Sequence, residues 1–170
     1  MARLRLLFAA VMLGTMMLAP AAVQAAKTSP TFDVTGNGLV AGAANTFEGA
    51  LTIDRFARQG SQIVAVGSLT GTLTDAVTGA TTALTNVAVS LPIIGITATC
   101  DILHLELGPL DLNLLGLVIH LDKIVLDIDA EAGPGNLLGN LLCAVAGLLD
   151  GGGPLNQLVA LLNQILRIFG

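Results

Sequence analysis

The chain has 170 residues, is 54% apolar, carries only 11% charged side chains and has a formal net charge of −5, which suits one domain with a substantial core. An acidic chain without basic clusters does not attract phosphate backbones, so its charge disfavours nucleic acids and anionic membrane surfaces as partners, and no nucleic acid is expected. With no Trp and no Tyr, it also lacks the rings on which carbohydrate platforms, base-stacking sites and aromatic hot spots are built.

Arg3 and Arg5 make a basic start, residues 6–18 are apolar apart from Gly14 and Thr15, and the run ends on Val23-Gln24-Ala25. This is the pattern of a secretory signal peptide over residues 1–25, cleaved after Ala25. A retained anchor is the rival reading, but the apolar run falls short of the roughly 20 residues a span needs. Leu4 separates the arginines, so the signal is not of the twin-arginine type, and no cysteine near the cleavage site offers a lipid anchor. The protein is therefore expected to be secreted or periplasmic, and not transmembrane once cleaved. Beyond residue 25, five basic residues (Lys27, Arg55, Arg58, Lys123, Arg167) stand against twelve acidic ones, a formal charge of −7.

Residues 26–46 read as a lead-in followed by a weak first strand over about 31–40. A single β-rich domain is expected over 47–170. In residues 47–56, Phe47, Leu51 and Ile53 alternate with Glu48, Thr52 and Asp54, the period of a half-buried strand. Residues 62–74 alternate again, with Ile63, Ala65, Leu69 and Leu73 on one face and a threonine-lined face opposite, interrupted by Val64 and Val66. Residues 83–91 place Val87, Val89 and Leu91 inward. Leu103, Leu105 and Leu107 form the next apolar face, broken by Gly108-Pro109. The alternation slips by one residue at Leu115-Gly116 and again near Asp122-Lys123, where a turn or a bulge is expected.

After Gly133-Pro134-Gly135 the period changes. Leu137, Leu138, Leu141, Leu142, Val145 and Leu149 predict a helix over 136–149 with Asn136 as N-cap. Asp150-Gly151-Gly152-Gly153 stops it, and Pro154 opens a second helix over 154–168. Each apolar stretch is below span length. Packing on the sheet is the expected use of these helices, with a lipid-facing hairpin as the rival.

Cys100 and Cys143 are the only cysteines. In an exported chain an even pair reads most simply as a disulfide, which would staple the first helix to the sheet. Two free thiols or a redox pair are the alternatives, although the spacing is not C-x-x-C.

The stretch Cys100-Asp-Ile-Leu-His-Leu-Glu-Leu-Gly-Pro-Leu-Asp-Leu-Asn-Leu-Leu-Gly-Leu117, with Gly135-Asn-Leu-Leu-Gly-Asn-Leu-Leu-Cys-Ala-Val-Ala146 and Phe47–Phe56, resembles a family of small secreted bacterial proteins with no established activity. The resemblance implies secretion and a paired Cys100 and Cys143. It carries over no functional residue.

Two constellations bear chemistry. His104 and His120 each precede a carboxylate by two residues, Glu106 and Asp122, and positions i and i+2 share a strand face. If the two strands are neighbours, the four side chains form a metal-ligand set; otherwise they are a solvated face. Asp127, Asp129 and Glu131 also share a face, but calcium sites draw on turns and backbone carbonyls, so a cation site there is not expected. Gly67-Ser68-Leu69-Thr70-Gly71 misplaces its serine for a nucleophile elbow, and Gly36-Asn37-Gly38 lacks the third glycine and the βαβ setting of a dinucleotide site.

The expected fold is α+β: a mostly antiparallel sheet of six or seven strands, a sandwich or partly closed barrel, with two C-terminal helices packed on it. No enzyme, no catalytic residue and no cofactor are expected. The expected function is a non-enzymatic structural or interaction module, with another cell-surface component as partner. The alternative is a carrier of an apolar, lipid-like ligand. A filled core favours the first, and a cavity of several hundred Å³ lined by aliphatic side chains the second.

Overall fold

The structure, a computed structural model, describes residues 29–170; the predicted signal peptide lies outside the described residues. Eight strands, β1 (Thr31–Val40), β2 (Ala43–Gln59), β3 (Gln62–Asp75), β4 (Thr81–Ala98), β5 (Ile102–Leu107), β6 (Leu110–Leu114), β7 (Leu117–Leu121) and β8 (Ile124–Asp129), precede α1 (Leu137–Asp150) and α2 (Leu155–Phe169). The strands form one antiparallel sheet in the order β6-β7-β1-β2-β3-β4-β5-β8. The sheet curls into a half-barrel with both helices packed on it, the α+β architecture that the alternating segments predict.

The two ends of that order belong together. Leu107 pairs with Ile124 and Leu110 pairs with Leu121, three steps along each chain, so the register passes unchanged through Gly108-Pro109 and Asp122-Lys123. β5 with β6 and β7 with β8 are thus two halves of one bent hairpin. Its base pairs with β4 through β5, and its tip pairs with β1 through β7. The two predicted slips in alternation correspond to the turn and the bend of this hairpin.

Alternation in β2 and β3 sends Phe47, Leu51, Leu69 and Leu73 into the core, all fully buried. Leu103, Leu105 and Leu107 join them from β5, and Leu142 and Val145 of α1 and Leu162 of α2 close over them. Val64, which breaks the polar face of β3 in sequence, is itself buried. Beyond Thr52 the edge of β2 has lost its β1 partner. There the Asn163 side chain of α2 replaces a strand: its Oδ1 accepts the Phe56 N–H at 2.8 Å and its Nδ2 donates to the Phe56 carbonyl at 2.9 Å. Asn136 occupies the N-cap position of α1 but makes no side-chain cap bond. The nearby segment is tied down by Asn140, whose side chain bonds both the N–H and the C=O of Gly133.

Three turns share one end of the curled sheet: Ala41-Gly42, residues 76–80, and Leu115-Gly116. Leu115 and Val77 are almost wholly exposed there. Leu115 has φ +52° and Gly116 φ +100°, positive at both central positions as a two-residue hairpin turn requires. A leucine there is strained by about 1 kcal/mol, and its exposed side chain packs on nothing in return. Leu115→Asn is therefore expected to raise stability by about 1 kcal/mol, read as a higher denaturation midpoint in urea. A lower midpoint would show that Leu115 makes a stabilising contact.

Candidate functional site

The pairing rules leave a gap in the half-barrel. β7 pairs with β1 only from Gly36 to Val40. Past the bend the same chain becomes β8, which pairs with β5 alone, so it diverges from the Thr31–Thr35 half of β1. Between them lies a cleft of about 460 Å³. Its floor is the apolar face of the core: Ile53 and Phe56 of β2, Leu103 and Leu105 of β5, and Leu162 and Ile165 of α2, all nearly buried. Its walls are Phe32, Leu126, Ile128 and Leu166, with Phe169 half-exposed at the mouth. Asp127 and Asp129 of β8 also border it. Both faces of β8 contribute because the cleft follows the unpaired edge of that strand. The volume lies within the range of small-molecule sites.

The predicted metal ligands are placed elsewhere and apart. β5 and β7 are not neighbours in the sheet, so His104 and Glu106 do not meet His120 and Asp122. Each histidine finds a cross-strand carboxylate that the sequence did not single out for it. His104 faces Asp127 in register, its Nδ1–H donating to Oδ1 at 2.5 Å. His120 faces Asp111 and donates in the same way at 2.5 Å. Glu106 is 3.8 Å from His104 Nε2 and accepts a 2.8 Å bond from Lys123 Nζ. Asp122 lies 3.7 Å from His120 Nε2. Asp127 is thus tied to His104, and Glu131 lies beyond the end of β8, so Asp127, Asp129 and Glu131 do not share one strand. Among the described residues, no group of three or more His, Cys, Asp or Glu side chains is placed to hold a metal ion.

The pairs have electrostatic consequences. The hydrogen bond from Lys123, together with its charge, holds the Glu106 carboxyl below its ordinary value. The Asp111 carboxylate, through its hydrogen bond and then its charge, raises His120. A histidine raised in the folded state favours folding below its unfolded value, and that contribution is lost as pH rises through the folded one. In an NMR titration the His120 midpoint should therefore fall toward the ordinary histidine value in Asp111→Asn. A His120 midpoint unmoved by the substitution would mean that the pair is not formed in solution.

Cys100, in the link between β4 and β5, is bonded to Cys143 of α1, and no free cysteine remains. Among the described residues no helix is long and apolar enough to cross a membrane. The chain matches no protein-family model, no curated protein and no solved structure.

Proposed function

We propose that this is an exported, non-enzymatic binding protein whose working site is the cleft beside β8, and that it carries an apolar, lipid-like ligand there. The observation that carries the reading is the cleft itself. It is a gap of several hundred Å³ floored by aliphatic and phenylalanine side chains and left open by strands that stop pairing. The disulfide supports a place outside the reducing cytoplasm, as does the basic-apolar-small segment of residues 1–25.

Native mass spectrometry of the secreted protein before and after organic extraction tests this. A lipid-sized adduct that extraction removes is the expected result. A clean chain mass in both samples, with purified protein that also fails to take up a neutral apolar dye such as N-phenyl-1-naphthylamine, would sink the carrier reading. A second reading, a module that docks on another surface component, draws on Leu115 and Val77, exposed on neighbouring turns. It predicts that Leu115→Asn abolishes surface retention while leaving dye uptake unchanged.

A further inference from the structure

The apolar cleft does not end at α2. Pro30 and Leu166 line it and also line a second cleft of about 450 Å³, so the two adjoin at these residues. The second cleft is polar, with Arg55, Asn163, Gln164 and Arg167 in its walls. Its position follows from a bulge in β2. Ile53 faces Gly67 and Arg55 faces Val66, so Asp54 is an extra residue and the side-chain alternation slips by one. Leu51 and Ile53 point inward before the bulge, and Phe56 does so after it. The bulge keeps Ile53 and Phe56 on the apolar floor and turns Asp54 and Arg55 toward the polar cleft, a use to which bulges near sites are often put.

Charge is the second observation. Two of the five basic residues beyond residue 25, Arg55 and Arg167, converge on this one cleft in a chain that is otherwise strongly acidic. The others described are engaged: Lys123 with Glu106 at 2.8 Å, and Arg58 with the Gly60 carbonyl at 2.7 Å and with Asn156. Among the described residues Arg55 and Arg167 form no ion pair. Asp54 also lines the cleft and accepts a hydrogen bond from Ser29 at 3.3 Å.

We propose that the two clefts are one bipartite site for an anionic amphiphile. An aliphatic chain lies over Ile53, Phe56, Leu105 and Ile165, and an acidic headgroup, a carboxylate or a phosphate monoester, is held by Arg55 and Arg167. This rests on the reading of the apolar cleft as a ligand site, and it adds the charge and polarity of the ligand. Two guanidinium groups suit either headgroup, because both present paired acceptor oxygens to planar donors.

The test is displacement of N-phenyl-1-naphthylamine, a neutral probe, from the purified chain at pH 8. The competitors are dodecanoate, dodecyl phosphate and dodecanol, which share one tail and differ in headgroup. One or both anions should displace the probe about tenfold more tightly than dodecanol, and which anion is tighter identifies the headgroup. In Arg55→Gln/Arg167→Gln that advantage should fall to near parity, with probe and dodecanol binding unchanged. Equal binding of all three competitors to the wild-type chain would overturn the inference and leave the apolar cleft standing. So would an anion advantage that survives in the double variant. If neither probe nor any competitor binds, the cleft reading itself fails and takes this inference with it.

Discussion

Replacing Phe47 with alanine should lower the unfolding free energy by about 3–5 kcal/mol. The ring is fully buried and lies over Gly49 and Gly71, which face each other across β2 and β3. A Cβ on Gly71 would sit 2.6 Å from Cε2 and Cζ of the ring, and one on Gly49 would sit 2.6 Å from Cζ. The ring thus fills space that two strands leave empty where they carry no side chains. Glycines at both positions leave no side chain beside the ring there, which places the loss toward the upper end. Against a total of about 5–15 kcal/mol this is a large fraction, and the melting temperature should fall by roughly 10 °C. Urea unfolding followed by circular dichroism reads it, since the chain has no Trp or Tyr to report by fluorescence. A loss below about 1.5 kcal/mol, the range of volume-conserving changes, would mean that the glycine pair closes up once the ring is gone.

The second large effect is at the disulfide. Cys100 and Cys143 close a loop with a sequence separation of 43, and that loop contains the entire bent hairpin. Removing the bond frees the loop in the unfolded chain, which costs the folded state about 3–4 kcal/mol in the chain-entropy account. For a domain of this size that corresponds to a drop of roughly 10 °C in the melting temperature. Cys100→Ser/Cys143→Ser and the wild-type chain in reductant should agree. A drop of under about 2 °C in both would mean that α1 stays docked by packing of Leu141, Leu142 and Val145 alone.

Much of the sheet is legible from alternation because each strand buries one face and a period of two survives any choice of neighbours. The slips at Leu115-Gly116 and Asp122-Lys123 are legible for the same reason. What alternation does not encode is which strand lies beside which. The convergence expected of His104, Glu106, His120 and Asp122 depended on β5 and β7 being neighbours. The bend sends them to opposite ends of the strand order, where Asp127 and Asp111 supply the partners instead. The cleft is hidden for a related reason: it exists because β8 fails to continue the pairing of β7, and a failure to pair leaves no mark on periodicity. Leu51 and Ile53 fall on odd positions and Phe56 on an even one, which already betrays the bulge that turns Arg55 outward. Arg167 carries no such signal, because its approach to Arg55 is set by how α2 docks through Asn163, a residue that reads as part of the polar face of a helix.

The unbroken register of the bent hairpin also bears on how the chain reaches its fold. From Leu115-Gly116 outward, pairs from Leu114 with Leu117 to Ile102 with Asp129 zip one after another, each step closing only a short additional loop. The seam between β1 and β7 is different, since it joins Gly36 to Leu121 and waits for most of the chain to be synthesised and collapsed. Distant pairings of this kind set the pace in β-rich proteins. Until the seam forms, β1 and β7 each present a bare row of backbone donors and acceptors, the template on which neighbouring chains add strands. The interval between hairpin formation and seam closure is therefore the period in which a newly made molecule is most exposed to aggregation, through edges that the seam later conceals.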